Sequence, residues 1–245
     1  MPFVTHRGLR IHYTVEGSGP LVILQHGLFL NAESWKEAGI VDALSDGFRV
    51  ACVDSLGHGL SDKPSDPEFY GQEQRSGEFV AVIDDLGCQR AHLIGHSMGG
   101  WLSVGAAKYH PKRLLSLVVG GWHPVNGLPR APRGAASFEA FIKFARKVAP
   151  TRFEWITPDL EPGVRACFEA LGQLQGARQA LLNACFPVMI WDGRDDPFHG
   201  PKKTFAAANG LQFLSTAGDH LGMLFLHGSE SAKGLRLFLE KTSQR

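Results

Sequence analysis

Six short, largely apolar runs constrain this chain more than any other feature: Leu21 to Leu24, Phe48 to Val53, Ala91 to Ile94, Leu114 to Val119, Phe186 to Trp191 and Leu211 to Leu214. A run without polar alternation is how a strand reads when both of its faces are covered. Segments with helical spacing lie between the runs. Glu73 to Leu86 places Phe79, Val80, Val82, Ile83 and Leu86 on one side. Met98 to Tyr109 is rich in Gly and Ala, which lets a helix approach a sheet closely, and Gly228 to Glu240 ends in Leu235, Leu237, Phe238 and Leu239. This rhythm predicts an α/β fold with a mostly parallel, doubly wound sheet. The first segment, Val4 to Tyr13, alternates around Arg7-Gly8 and reads as an antiparallel hairpin at the sheet edge.

One stretch breaks the rhythm. From about His123 to Ala184 no convincing strand occurs; a Pro/Gly-rich segment, His123 to Gly134, leads into helix-like pieces at Phe138 to Val148, Glu161 to Leu171 and Ala177 to Asn183. The expected division is a core of residues 1–122 and 186–245 with a helical cap, 123–185, inserted after the sixth of about eight strands. A length of 245 residues suits one domain with such an insertion.

Charge and cysteine content exclude several function classes. A net charge of +1 gives no basic field for nucleic acid. Cys52, Cys88, Cys167 and Cys185 form no C-x-x-C pair and read as reduced packing residues. His6, His12, His58, His123 and His199 show no ligand spacing, so no metal is expected; His92, His110 and His227 read as packing or surface residues. The N-terminal segment has no apolar run long enough for a leader or anchor, and no stretch approaches a membrane span, so a cytoplasmic location is expected.

Chemistry concentrates at Gly95-His96-Ser97-Met98-Gly99-Gly100, which follows the Ala91 run and opens a helix. In that setting G-x-S-x-G is a nucleophile elbow: a turn so tight that small residues must flank the serine at both offsets. The serine oxygen stands at a helix N-terminus, where the dipole favours developing negative charge. Ser97 is therefore the candidate nucleophile.

With these residues in view, the chain resembles the α/β-hydrolase fold family, in its serine-nucleophile, esterase-like branch. Gln25-His26-Gly27-Leu28-Phe29 is similar to the family's oxyanion segment, and the resemblance implies the backbone N–H groups of Leu28 and Met98 as donors to an oxyanion. Asp54 to Pro64 resembles the loop that follows the next strand and reads as structural, its glycines making turns near the site. Trp191-Asp192-Gly193-Arg194-Asp195-Asp196-Pro197 matches the family's acid loop. The pattern of a glycine, two residues and an acid selects Asp196, with Asp195 as the alternative. His220, after the last run, is the implied base, and the order Ser, Asp, His is the family's. His26 and His96 flank the site and are expected to orient loops.

The resemblance covers the core, while the cap matches no named pattern. Relatives that open epoxides or remove halides carry aspartate where this chain has Ser97, and the epoxide enzymes also use cap tyrosines; no tyrosine follows Tyr109 here. A serine implies acyl transfer without cofactor: hydrolysis of a small hydrophobic ester, lactone or thioester. Cleavage of a carbon–carbon bond in a ring-cleavage diketone, perhydrolysis as a side activity, and a weakly catalytic ligand receptor are the alternatives. Phe29, Trp101, Trp122, Phe198, Leu221 and Met223 are the expected pocket wall, and Arg130, Arg133, Arg146 and Arg165 are cap cations that could meet an acidic substrate.

Overall fold

In a computed structural model, which describes residues 2–127, 137–148, 150–172 and 175–243, every one of the apolar runs contributes a strand to a single eight-stranded sheet. The chain begins with the hairpin β1 (Phe3–His6) and β2 (Leu9–Glu16), turning on Arg7 and Gly8, both at positive φ. It continues through β3 (Leu21–Gln25), the short helices α1 (Glu33–Glu37) and α2 (Ile40–Ser45), and β4 (Arg49–Val53). The helical stretch expected over Glu73 to Leu86 is two helices, α3 (Gln72–Ser76) and α4 (Glu78–Asp85), joined at Gly77. Then come β5 (Ala91–His96), α5 (Met98–Tyr109) and β6 (Leu114–Gly120). Between the sixth and seventh strands lie α6 (Phe138–Val148), α7 (Glu161–Ala170) and α8 (Ala177–Leu182). The chain closes with β7 (Val188–Gly193), α9 (His199–Ala208), β8 (Gln212–Thr216), α10 (Gly222–Phe225) and α11 (Gly228–Ser243).

The strand order is β1-β2-β4-β3-β5-β6-β7-β8. β1 and β2 pair antiparallel, β2 joins β4 antiparallel, and every later pairing is parallel. The central strands β3 and β5 are buried along their whole length, as expected of a sheet covered on both sides. One face packs Ile23, Leu93, Leu117 and Ile190 against α5 and its neighbours. The other packs Val22, Ile94, Val118 and Trp191 against α2 and α11, through Leu44, Leu235 and Leu239. α5 is buried on nearly all sides because its glycines admit close neighbours: a Cβ on Gly100 would lie 2.7 Å from the Gly120 carbonyl oxygen.

The segment between β6 and β7 is not a layer standing apart. Its own small core holds Phe138, Ile142, Ala145, Ile156, Val164 and Phe168, and Phe29 from the loop after β3 joins it. Ala166, Cys167 and Leu171 at the other side of α7, with Ala177 and Leu181 of α8, belong to the main core. No helix among the described residues is long and apolar enough to cross a membrane.

Candidate active site

The carboxyl ends of β3, β5, β6, β7 and β8 all open at one edge of the sheet, which is where parallel α/β sheets place their sites. Ser97 links β5 to α5 in a backbone conformation that L-residues seldom adopt, φ 58° and ψ −115°. The surroundings enforce it. The Ser97 N–H donates to the Gly120 carbonyl at 2.8 Å, pinning the turn to β6. A Cβ on Gly95 would overlap the Gly99 carbonyl oxygen, and one on Gly99 would overlap that of Gln25. Glycine at both offsets is thus a steric requirement of the elbow.

Ser97 Oγ lies 3.0 Å from Nε2 of His220. Across the ring, His220 Nδ1 lies 3.4 Å from Asp196 Oδ2. Asp196 Oδ1 accepts the Phe198 N–H at 2.7 Å, which fixes the carboxylate plane. Burial opposes ionisation of Asp196, but the His220 ring, the Lys202 ammonium and the Phe198 N–H outweigh it and hold the carboxyl below the usual carboxylate range. Asp195, the alternative acid, is exposed and accepts the Gly218 N–H at 3.2 Å. The structure therefore brings Asp196, and not Asp195, to His220.

His96 holds His220 from behind. Its Nε2 donates to the His220 carbonyl at 2.8 Å, and the two rings sit 4.9 Å apart between centroids. Burial, with the neighbouring His220, lowers the His96 pKa to about 3, so it stays neutral and its Nε2–H remains a donor. His26 is likewise neutral, lowered to about 4 by burial; its Nδ1–H donates to Gly27 O at 2.8 Å while Nε2 accepts from Ser55 N at 3.1 Å. That pair ties the His26-Gly27 segment to the loop after β4. The loop itself is organised by Asp54, which accepts from Ala32 N, Leu60 N and His12 Nδ1 at 2.7, 2.9 and 2.8 Å.

The segment with Leu28 runs beside Ser97: a Cβ on Gly27 would stand 3.1 Å from the Ser97 Cβ. Met98 is the first helical residue of α5, so its N–H has no partner within the helix. Phe29 follows at φ 68°, a strained value for an aromatic residue, with its ring in the insertion's core 5.6 Å from Phe141 and 5.2 Å from Phe153.

Ser97, Asp196 and His220 line a cavity of about 610 Å³. Trp122, Val125, Phe141 and Phe198 supply its apolar wall, and His123, Asn126 and Lys202 are its polar members. Trp122 and Phe198 were expected there. Phe29 lies one layer behind, against Phe141. Three expected wall residues are elsewhere. Trp101 is fully buried in the main core, because α5 has no free face one turn beyond the serine. Met223 lies in the core on the opposite side of the sheet. Leu221 is exposed and outside the cavity lining. Of the cap cations, Arg146 donates to the Ile156 carbonyl and Arg165 pairs with Glu139 and Glu161; Arg130 and Arg133 lie outside the described residues.

The sequence reading missed Lys202. Its ammonium is buried and contacts Asp192 Oδ1 at 2.7 Å and Asp196 Oδ2 at 3.3 Å. The only hint was Asp192 itself, a carboxylate closing the apolar run Val-Met-Ile-Trp, which needs a buried counter-charge. Among the described residues no group of three or more His, Cys, Asp or Glu is placed to hold a metal ion.

A family model described as alpha/beta hydrolase fold matches residues 20–154. Among curated proteins, the chain is 37% identical over 111 residues to bifunctional epoxide hydrolase 2 of Rattus norvegicus, a match covering 45% of this chain and 20% of that protein. The matches to this relative and to an epoxide hydrolase of Caballeronia sordidicola span only 20% and 46% of those proteins' lengths. Among solved structures, the enol-lactonase from Burkholderia xenovorans LB400 superposes with a TM-score of 0.75 at 23% identity over 100% of both chains. A putative aryl esterase from Burkholderia cenocepacia superposes with a TM-score of 0.80 at 19% identity over 100% of this chain and 99% of that one. At these identities the superpositions show a shared fold.

Proposed function

Because the chain belongs to the α/β-hydrolase fold family, we propose that it is a serine hydrolase cleaving a small, neutral ester, lactone or thioester with a hydrophobic acyl or aryl group. The observation that carries this reading is the 3.0 Å approach of Ser97 Oγ to His220 Nε2 in the lining of a largely apolar cavity. Neutral His220 accepts the Ser97 proton as the oxygen attacks the carbonyl. Asp196 keeps the second ring proton on Nδ1 and stabilises the imidazolium that forms. The N–H groups of Leu28 and Met98 receive the oxyanion. His220 then gives the proton to the leaving oxygen, or to the leaving sulfur of a thioester, and water, deprotonated by the same ring, releases the acid and restores Ser97.

Similarity to epoxide hydrolases does not transfer that activity. A carboxylate nucleophile opens an epoxide to an ester, which water can cleave. A serine would form an ether, which water cannot cleave under the same catalysis. Ser97 therefore favours acyl chemistry. The enol-lactonase and the aryl esterase, whose folds span the whole chain, are named for acyl substrates of this kind.

The test is hydrolysis of p-nitrophenyl esters with acyl chains of increasing length, with Ser97→Ala and His220→Ala in parallel. Turnover that disappears in both variants, with an optimum at short to medium chains, supports the reading. Turnover of a vinylogous diketone well above that of every ester would move the assignment to carbon–carbon bond cleavage. Turnover unchanged in Ser97→Ala would overturn the mechanism.

A further inference from the structure

The triad acid has an unexpected second partner. Asp196 Oδ2, the oxygen that faces His220, is shared with the Lys202 ammonium at 3.3 Å. Lys202 is held in turn by Asp192 at 2.7 Å. All three charges are buried: Asp192 is fully inaccessible, and Lys202 and Asp196 are 3% and 7% exposed. Such a trio costs much desolvation, and it persists only where the charges satisfy one another. Lys202 could not reach solvent without leaving two buried carboxylates with no ammonium between them.

We propose that Lys202 and Asp192 form a buried charge clamp on the triad acid, with Lys202 a positioning residue that sets how strongly Asp196 attracts the proton of His220. The inference rests on the hydrolase reading only for its kinetic consequence. With His220 neutral, the trio carries one net negative charge. When His220 becomes imidazolium, that charge is matched and the buried group becomes neutral overall. Lys202 bonded to Asp196 alone would cancel the acid's charge and leave the imidazolium nothing to pair with. Asp192 restores the negative charge while lying farther from the ring. Burial pushes the Asp192 carboxyl above the usual range against the pull of Lys202, so its ionised form depends on that ammonium.

Among the described residues, the other titratable groups around the ring are few. His96 faces His220 from the end of β5 and is neutral. His123 faces Lys202 from the chain after β6, and burial, followed by the Lys202 charge, lowers its pKa. His199 of α9 brings Nδ1 to 3.5 Å from Asp192 Oδ2. In the loops, Asp195 is bound to Gly218 N, and Asp219 to Leu221 N and Gly222 N. None of these offers Asp196 Oδ2 a second cation, which leaves Lys202 in that role.

The experiment is an NMR titration of the His220 ring, assigned with His220→Gln, in the parent protein and in Lys202→Gln, Asp192→Asn and the double variant. It needs no substrate, so its outcome is independent of whether the protein hydrolyses esters. Loss of the Lys202 charge is expected to raise the midpoint of His220 protonation by about one pH unit. Loss of the Asp192 charge is expected to lower it, and the double variant to follow Lys202→Gln, because Asp192 loses its charge once the ammonium is gone. In active protein the acid limb of kcat/KM moves in the same directions. A merely structural role would lower kcat in both single variants and leave the midpoint in place. Midpoints that stay fixed, or that move the same way in both, overturn the clamp. Should one single variant fail to fold, the other and the double still decide the sign.

Discussion

At the scale of single residues, the site depends on which oxygen faces which nitrogen. Asp196 accepts from Phe198 N through Oδ1 and so presents Oδ2 to the imidazole. Asp196→Asn keeps that shape but can offer an N–H where an acceptor is needed, favouring the wrong His220 tautomer. A loss of about 10⁴-fold in kcat is expected. Asp195→Asn, whose carboxylate binds only the Gly218 N–H among the described residues, is expected to keep kcat within about tenfold, since no triad proton is involved; steady-state kinetics on a common ester separates the two. Ser97 and its glycine frame were legible because the elbow's sterics leave almost no other sequence. His220 and Asp196 were legible as a pattern after particular strands. Lys202 was not, because a lysine in the first turns of an amphipathic helix reads as a solvated residue until the fold shows it buried between two carboxylates. Trp101 and Met223 were misplaced for the converse reason: nearness to the triad along the chain says nothing of which side of a helix faces the cavity.

Individual elements show how packing transmits to chemistry. α5 presses against β3 through Gly99, whose added Cβ would strike the Gln25 carbonyl. Gln25 immediately precedes the His26-Gly27-Leu28 segment, so relief of that clash must move Leu28, the proposed oxyanion donor. Gly99→Ala is expected to cost about 1–3 kcal/mol of stability and to lower kcat/KM by about tenfold or more through misplacement. Urea titration beside kinetics would check it, and a variant destabilised but fully active would count against the coupling. The strands were readable because burial on both faces removes polar residues from the central runs. The split of the Glu73 to Leu86 stretch into α3 and α4 was not, although Gly77 marks it. There a Cβ would lie 2.6 Å from the His6 ring, so the helices part where β1 crosses. The buried Arg75–Glu78 pair across the same junction, 3.2 Å apart, also lies beyond periodicity, since both residues read as surface charge.

For the whole molecule, the sheet buries several histidines as neutral rings, and this makes stability depend on pH. His26 and His92 are lowered to about 4 and His96 to about 3, in each case first by burial. In the unfolded chain these groups take up protons near pH 6.5. Their contribution is therefore fully present above about pH 6.5 and is lost as pH falls toward the folded values. By about pH 4 each is expected to have cost on the order of 3 kcal/mol relative to pH 7, so the thermal midpoint should fall steeply between those limits; a flat profile would show the rings are already solvated. The insertion illustrates what a linear reading cannot give. Its helices were visible, but the sharing of α7 and α8 with the main core arises only when α5 brings them together. The central claim, that Ser97 is a nucleophile activated by His220, is tested most directly by intact-protein mass spectrometry after brief exposure to a fluorophosphonate, which loses fluoride on reaction with an activated serine. A single adduct on Ser97, absent in Ser97→Ala and much slower in His220→Ala, is predicted. No adduct on the parent protein, or one that persists in Ser97→Ala, would contradict it.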